Sequence, residues 1–385
     1  MVCIGFKLNS GFCLHVCGAK KIKGMGKTMK KIFGIILTVI VLCVAFVACN
    51  PSGPDVNKIT VTFDSNNGTG ATSEQAIRKD TPTALKANSF TYEGHVFNSW
   101  NTDKDGNGRP YQNSEVVTLS DNITLYAQWS PTVTPTTTNW EDGKTYTLTE
   151  DTTVSERVTV TGHVTLILPD DLTLNCKKGI TVEEGNTLMI KCGDKGNGKL
   201  VVDGEVSDYD AGIGGGGKGK NSGCLIVEGG VLNITGGRYG AGIGGGDRGN
   251  NGQVIIHGGD VTATSKYTDG QFYGGAGIGG GLYGGGGIVF ISGGKVTATA
   301  SLLGSAIGCG HSYTGKGGYV SILGGEVNAI GCYVILEYEE IWSEGINGYM
   351  YLGPGIELQA RVYDTDPWTD YKGEIPRQAY LRTKR

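Results

Sequence analysis

The chain has 385 residues, enough for two or three domains, with charged residues at 18% and aromatics at 8%. Net charge is -4, and residues 1–48 carry seven Lys/Arg and no Asp/Glu, so the remainder holds 26 basic against 37 acidic residues. That acidic balance excludes a nucleic-acid partner, whose capture needs a basic patch.

Residues 1–28 show no foldable pattern and read as a gene-model extension ahead of Met29. Met29-Lys30-Lys31 then opens an apolar run from Ile32 to Ala48. A basic start, a short apolar core and a small residue before a cysteine describe a secretory signal over residues 29–48. Phe46-Val47-Ala48-Cys49 resembles the lipobox of bacterial lipoproteins, with Phe46 where Leu is usual. The resemblance implies cleavage before Cys49, lipidation of its sulfur and a membrane anchor on an exported protein of the cell envelope. An uncleaved anchor is the alternative, since the 17-residue run sits at the lower limit for spanning a bilayer. Residues 49–57, with Pro51-Ser52-Gly53-Pro54, form a turn-rich tether.

Residues 58–129 alternate as short strands. Lys58-Ile59-Thr60-Val61-Thr62-Phe63-Asp64 leads into the turn Ser65-Asn66-Asn67-Gly68. Later come Gly94-His95-Val96-Phe97-Asn98-Ser99-Trp100 and Ile123-Thr124-Leu125-Tyr126-Ala127-Gln128-Trp129. These three pieces, in this order, resemble the internalin-type B-repeat, also called the Listeria–Bacteroides repeat. The resemblance implies a small β-grasp-like domain serving as a spacer or adhesion element of bacterial surface proteins, without catalysis. Trp100 and Trp129 read as core residues, with a sugar platform as the alternative. Residues 130–139, rich in Thr and Pro, read as an extended linker.

From residue 140 strand signals recur every 8–16 residues, and from residue 211 they fall into phase. Ala211-Gly212-Ile213-Gly214-Gly215-Gly216 returns at Ala241–Gly246 and Ala276–Gly281, and in degenerate form at Ser305–Gly310. A glycine pair keeps step at Gly229-Gly230, Gly258-Gly259, Gly293-Gly294 and Gly324-Gly325. Aliphatic residues stand two and four positions to either side of each pair, as in Leu225, Val227, Leu232 and Ile234. Period two on both sides of a corner describes strands with one buried face, and repetition at this spacing describes a stacked array. Residues 140–331 therefore predict a parallel β-helix, taken as right-handed, in which Ile213, Ile243, Ile278 and Ile307 form one internal column. A disordered glycine linker would lack such phased columns. The region resembles, at the level of pattern, the pectate-lyase-like β-helix of bacterial surface and carbohydrate-binding proteins. Residues 332–385 leave the repeat and predict a C-terminal cap over the open coil end. The fold class expected is thus all-β: a B-repeat domain followed by a capped solenoid.

Chemistry-bearing patterns are few. Gly212…Gly217-Lys218 approaches a phosphate loop but lacks the following Ser/Thr and the strand–loop–helix setting, so no nucleotide cofactor is expected. No C-x-x-C pair marks a metal site; Cys176 and Cys192 allow a disulfide between neighbouring coils or two buried thiols. Asp203, Asp208 and Asp210, followed by Lys218 and Lys220, form the candidate acidic cluster for a polysaccharide lyase or hydrolase. Asp260, Lys295 and Glu326, one after each glycine pair, read as a surface ladder of alternating charge. Tyr239, Tyr267, Tyr273, Tyr283 and Tyr313 interrupt the repeats near the glycine hexamers, and Tyr319 follows. They are candidates to stack on sugar rings of a glycan or other cell-surface polymer, or else to pack over their own backbone. The leading expectation is a non-catalytic surface lipoprotein for adhesion or carbohydrate binding. The alternatives are a β-helix lyase or hydrolase and a purely structural envelope protein.

Overall fold

The computed structural model describes residues 3–7, 13–17, 57–67, 71–203, 205–266, 273–301, 303–311, 317–330, 333–336, 339–342, 346–354, 358–361, 369–370 and 380–383. The signal segment, Cys49 and the tether up to residue 56 lie outside them, as do Tyr267 and Tyr313. Within 1–28, Cys3–Lys7 pairs antiparallel with Cys13–Cys17, so two strands stand where the sequence pattern showed none.

The first domain is a five-stranded sheet in the order Thr72–Arg78, Lys58–Asp64, Ile123–Pro131, His95–Asn101, Pro110–Tyr111. Strand alternation buries Val61, Phe63, Leu125 and Ala127 on one face. Trp100 is fully buried, its ring 4.8 Å from Phe63 and 4.9 Å from Phe97. Trp129 is half-buried, with Tyr92 and Phe97 edge-on to it, and its indole N–H donates to the Ser65 carbonyl at 2.6 Å. Both tryptophans are thus engaged by their own domain.

From Asn139 the chain winds as a coil of three parallel sheets. Each turn contributes one short strand to a narrow sheet, one to a middle sheet and one to a third sheet, and seven such turns follow one another. Neighbouring turns are in register throughout, so the rise per turn is one inter-strand spacing, ~4.8 Å. Ile180, Ile213, Ile243, Ile278 and Ile307 pair in succession down the narrow sheet and are buried. Leu225, Val254, Val289 and Val320 do the same in the middle sheet. Leu232, Val261, Val296 and Val327 do so in the third. One continuous aliphatic core results.

Glycine is required at particular places. Gly214, Gly244, Gly279 and Gly308, the residues after the column isoleucines, have φ of +136°, +135°, +148° and +138°. A side chain at Gly214, Gly244 or Gly279 would also collide with the carbonyl of the equivalent glycine one turn on. No other residue combines that backbone with that approach.

Two expectations need correction. The linker is not extended throughout: Val133 is buried in the coil core and bonds the Thr147 carbonyl at 2.8 Å, and Thr134–Thr137 makes a turn. The repeat does not stop at residue 331, because Gly348–Leu352 adds a parallel rung to the middle sheet and Ile346 bridges Ile307. Beyond that rung, over the described residues, the pairing of the third sheet changes from parallel to antiparallel. Tyr380–Thr383 runs antiparallel on Glu326–Ile330, then Leu358–Arg361 on Tyr380–Thr383.

Candidate functional site

From residue 211 onward glycine-rich passages enter and leave the narrow sheet, and they carry the candidate tyrosines. Hydrogen bonds between turns set their positions. Leu282 N–H donates to the Tyr239 carbonyl at 2.7 Å, Tyr283 N–H to the His311 carbonyl at 2.9 Å, and His311 N–H to the Gly274 carbonyl at 3.0 Å. This stitching brings Tyr239, Tyr273 and Tyr283 to one edge of the coil. Tyr273 stacks on His311 at 4.6 Å between centroids, and Tyr283 lies 6.3 Å from the same imidazole. Burial holds that imidazole's pKa below its ordinary value, which favours the neutral ring. Tyr209, absent from the sequence-based candidates although it precedes the first hexamer by two residues as Tyr239 precedes the second, joins the edge 5.6 Å from Tyr239. Arg238 lies over Tyr239 at 5.6 Å and Arg248 over Tyr283 at 5.8 Å. Tyr273 and Tyr283 remain exposed.

The acidic cluster does not behave as one group. Asp210 sits 3.6 Å from the Arg157 guanidinium, Asp208 sits 3.9 Å from Arg238, and Asp203 points into solvent. Lys220 pairs with Glu183 at 3.2 Å. Two of the three carboxylates are therefore committed to different arginines, whereas glycoside hydrolysis typically uses a convergent pair of carboxyls. Burial raises the Asp210 pKa and Arg157 opposes that rise.

Arg157 is the residue that sequence reasoning missed. It precedes the narrow strand Val158–Val160 and spans three turns. Its Nη1 donates to the Lys178 carbonyl at 2.6 Å, its Nε to Thr181 Oγ1 at 2.7 Å and its Nη2 to the Ala211 carbonyl at 2.9 Å. The side chain is only 17% exposed, and burial lowers its pKa against the pull of Asp210. It acts as a clasp between turns.

The remaining candidates resolve simply. Cys176 and Cys192 carry free thiols on different sheets, third and middle, so they do not face each other. Cys176 is fully buried, and its thiol is pushed up to about 12, far from a reactive thiolate. Asp260, Lys295 and Glu326 stack in register, with Lys295 4.0 Å from Asp260. Among the described residues, no group of three or more His, Cys, Asp or Glu could hold a metal ion.

Residues 60–128 match the family description of the Listeria-Bacteroides repeat domain, and residues 254–282 and 291–311 match that of the Beta helix repeat. No curated protein and no solved structure matches the chain. A β-helix repeat is compatible both with pectate-lyase-like enzymes and with non-enzymes. The chain thus joins a Listeria-Bacteroides repeat domain, of a kind typical of extracellular or surface proteins, to a β-helix solenoid that matches the Beta helix repeat over part of its length.

Proposed function

We propose that this is a non-catalytic adhesion protein of the bacterial cell surface, which binds carbohydrate through the coil and uses the B-repeat domain as a spacer. The observation that carries the reading is the edge formed by Tyr239, Tyr273 and Tyr283 with Arg238 and Arg248 laid over two of the rings. Exposed aromatic rings supply flat apolar surface for the C–H face of a sugar, at low entropic cost because the backbone beneath them is fixed. The division of Asp208 and Asp210 between separate arginines supports binding over cleavage. Attachment through a lipid on Cys49 is part of the proposal and rests on the sequence alone.

The test is a glycan array probed with the full chain, beside incubation with polygalacturonate or alginate in the presence of Ca²⁺. Binding that weakens in Tyr283→Ala, with no unsaturated ends released, is the expected result. Unsaturated product that disappears in Asp203→Asn or Asp208→Asn would replace this reading with the lyase.

A further inference from the structure

Outward-facing residues of the middle sheet form a second surface, separate from the tyrosine edge. Over the last five rungs two outward rows run side by side along the coil. One passes Cys224, Gln253, Ile288, Tyr319 and Tyr349; the other passes Ile226, Ile255, Phe290, Ser321 and Tyr351. None of these positions carries a charge, and only Gln253 and Ser321 are polar in character apart from the tyrosine hydroxyls. Tyr349 is 75% exposed, Tyr319 63%, Tyr351 59% and Ile288 44%. Tyr319 and Tyr349 stack on one another at 5.4 Å and 20°, so the rings are held in order while still facing water. Large apolar side chains gathered on one exposed face mark an interaction site.

Three features choose the occupant. The strip is narrow and long: rows ~7 Å apart over four gaps of ~4.8 Å. That is well short of the about 800 Å² per partner that a stable protein–protein interface buries, so a single linear chain fits better than a second copy. The inner rungs have both edges taken up by the inter-turn ladders, and of these rungs only Gly348–Leu352 ends the sheet among the described residues, so a peptide lying along the coil axis gains no strand pairing across this face. The two rows are themselves uncharged; Glu228, paired with Lys191, and His257, edge-on to Phe290, border them only on the earlier rungs, so over Ile288, Tyr319, Tyr349 and Tyr351 a partner with fixed charges would lose hydration without finding counter-charges. We infer that the outward face of the middle sheet, centred on Ile288, Phe290, Tyr319, Tyr349 and Tyr351, binds a neutral linear polysaccharide lying along the coil axis. It meets the rows with its C–H faces and the tyrosine hydroxyls with its own hydroxyls. This surface does not depend on the tyrosine edge, which carries arginines and suits a different, anionic sugar.

Titration calorimetry of the full chain with cellohexaose, xylohexaose, mannohexaose and, as the anionic counterpart, hexagalacturonate tests the inference. At least one neutral hexasaccharide should bind. Tyr349→Ser and Ile288→Ser should each weaken it about tenfold, while Tyr283→Ser leaves it unchanged. Because the two substituted side chains are exposed, circular dichroism should confirm an intact fold. Neutral binding that survives both face variants, or tighter binding of hexagalacturonate lost in Tyr349→Ser, overturns the inference. Binding lost only in Tyr283→Ser overturns the face and leaves the edge standing; no saccharide bound at all overturns both. A dimer seen by sedimentation velocity and dispersed by Tyr349→Ser would assign the face to a second copy and overturn the glycan.

Discussion

The middle and third sheets of the coil have the same interior and opposite exteriors. Inside, both present ladders of Leu, Val, Ile and Ala at in-register positions. Outside, the third sheet shows Asn233, Thr262, Thr297 and Asn328, one above another. At the same pleat position the middle sheet shows Ile226, Ile255, Phe290, Ser321 and Tyr351. The interior has no freedom, because each residue must fill the space under its copy one turn away at close-packed density. The exterior touches solvent, so folding does not choose between Thr and Phe there. A difference maintained only on the outside therefore points to contact with something other than the coil itself.

Substitutions that break the interior should far outweigh those on either face. Gly244→Ala places a side chain at φ +135° and against the Gly279 carbonyl, and should cost about 4 kcal/mol or leave the chain unfolded on calorimetry. Ile278→Ala removes one member of the narrow-sheet column and leaves a cavity, costing about 3 kcal/mol in denaturant melts. Arg157→Ala should cost a similar amount, about 3 kcal/mol, since three hydrogen bonds between turns go and Asp210 loses its partner. A loss within 0.5 kcal/mol at Ile278 would contradict a shared, close-packed interior.

A smaller effect depends on pH. Asp247, after the second hexamer, is 4% exposed and its Oδ1 has no hydrogen-bond partner in the structure. Burial raises its pKa, opposed by Arg248 and Lys218. A raised folded-state pKa favours the protonated form, so its stabilising contribution is present at low pH and lost as pH rises through the folded value. Asp247→Asn should therefore raise the melting temperature near neutrality. That gain should shrink toward about pH 4, where carboxyls take up protons. A gain independent of pH would refute the electrostatic origin. Smallest of all, Thr297→Val on the third sheet's outer face should shift stability by no more than about 0.5 kcal/mol. A larger loss there would mean that the polar exterior also holds the fold.

By itself the sequence determined the coil. Phased Val and Ile positions, the in-step glycine pairs and the Asp260–Lys295–Glu326 ladder could all be read, because a solenoid makes each turn's neighbour the next copy of itself and turns linear period into spatial stacking. The B-repeat domain was equally legible from Phe63, Trp100 and Trp129. Only the tertiary structure decided where the irregular residues go. Tyr239 and Tyr273 precede successive hexamers while Tyr283 follows one, and they meet at one edge because carbonyls and amides of different turns bond there. Asp208 and Asp210 part company because Arg238 and Arg157 reach them from other turns. Alternation along a strand tells which residues point inward; what gathers on the outer surface is fixed by register between turns, and register is a property of the folded coil.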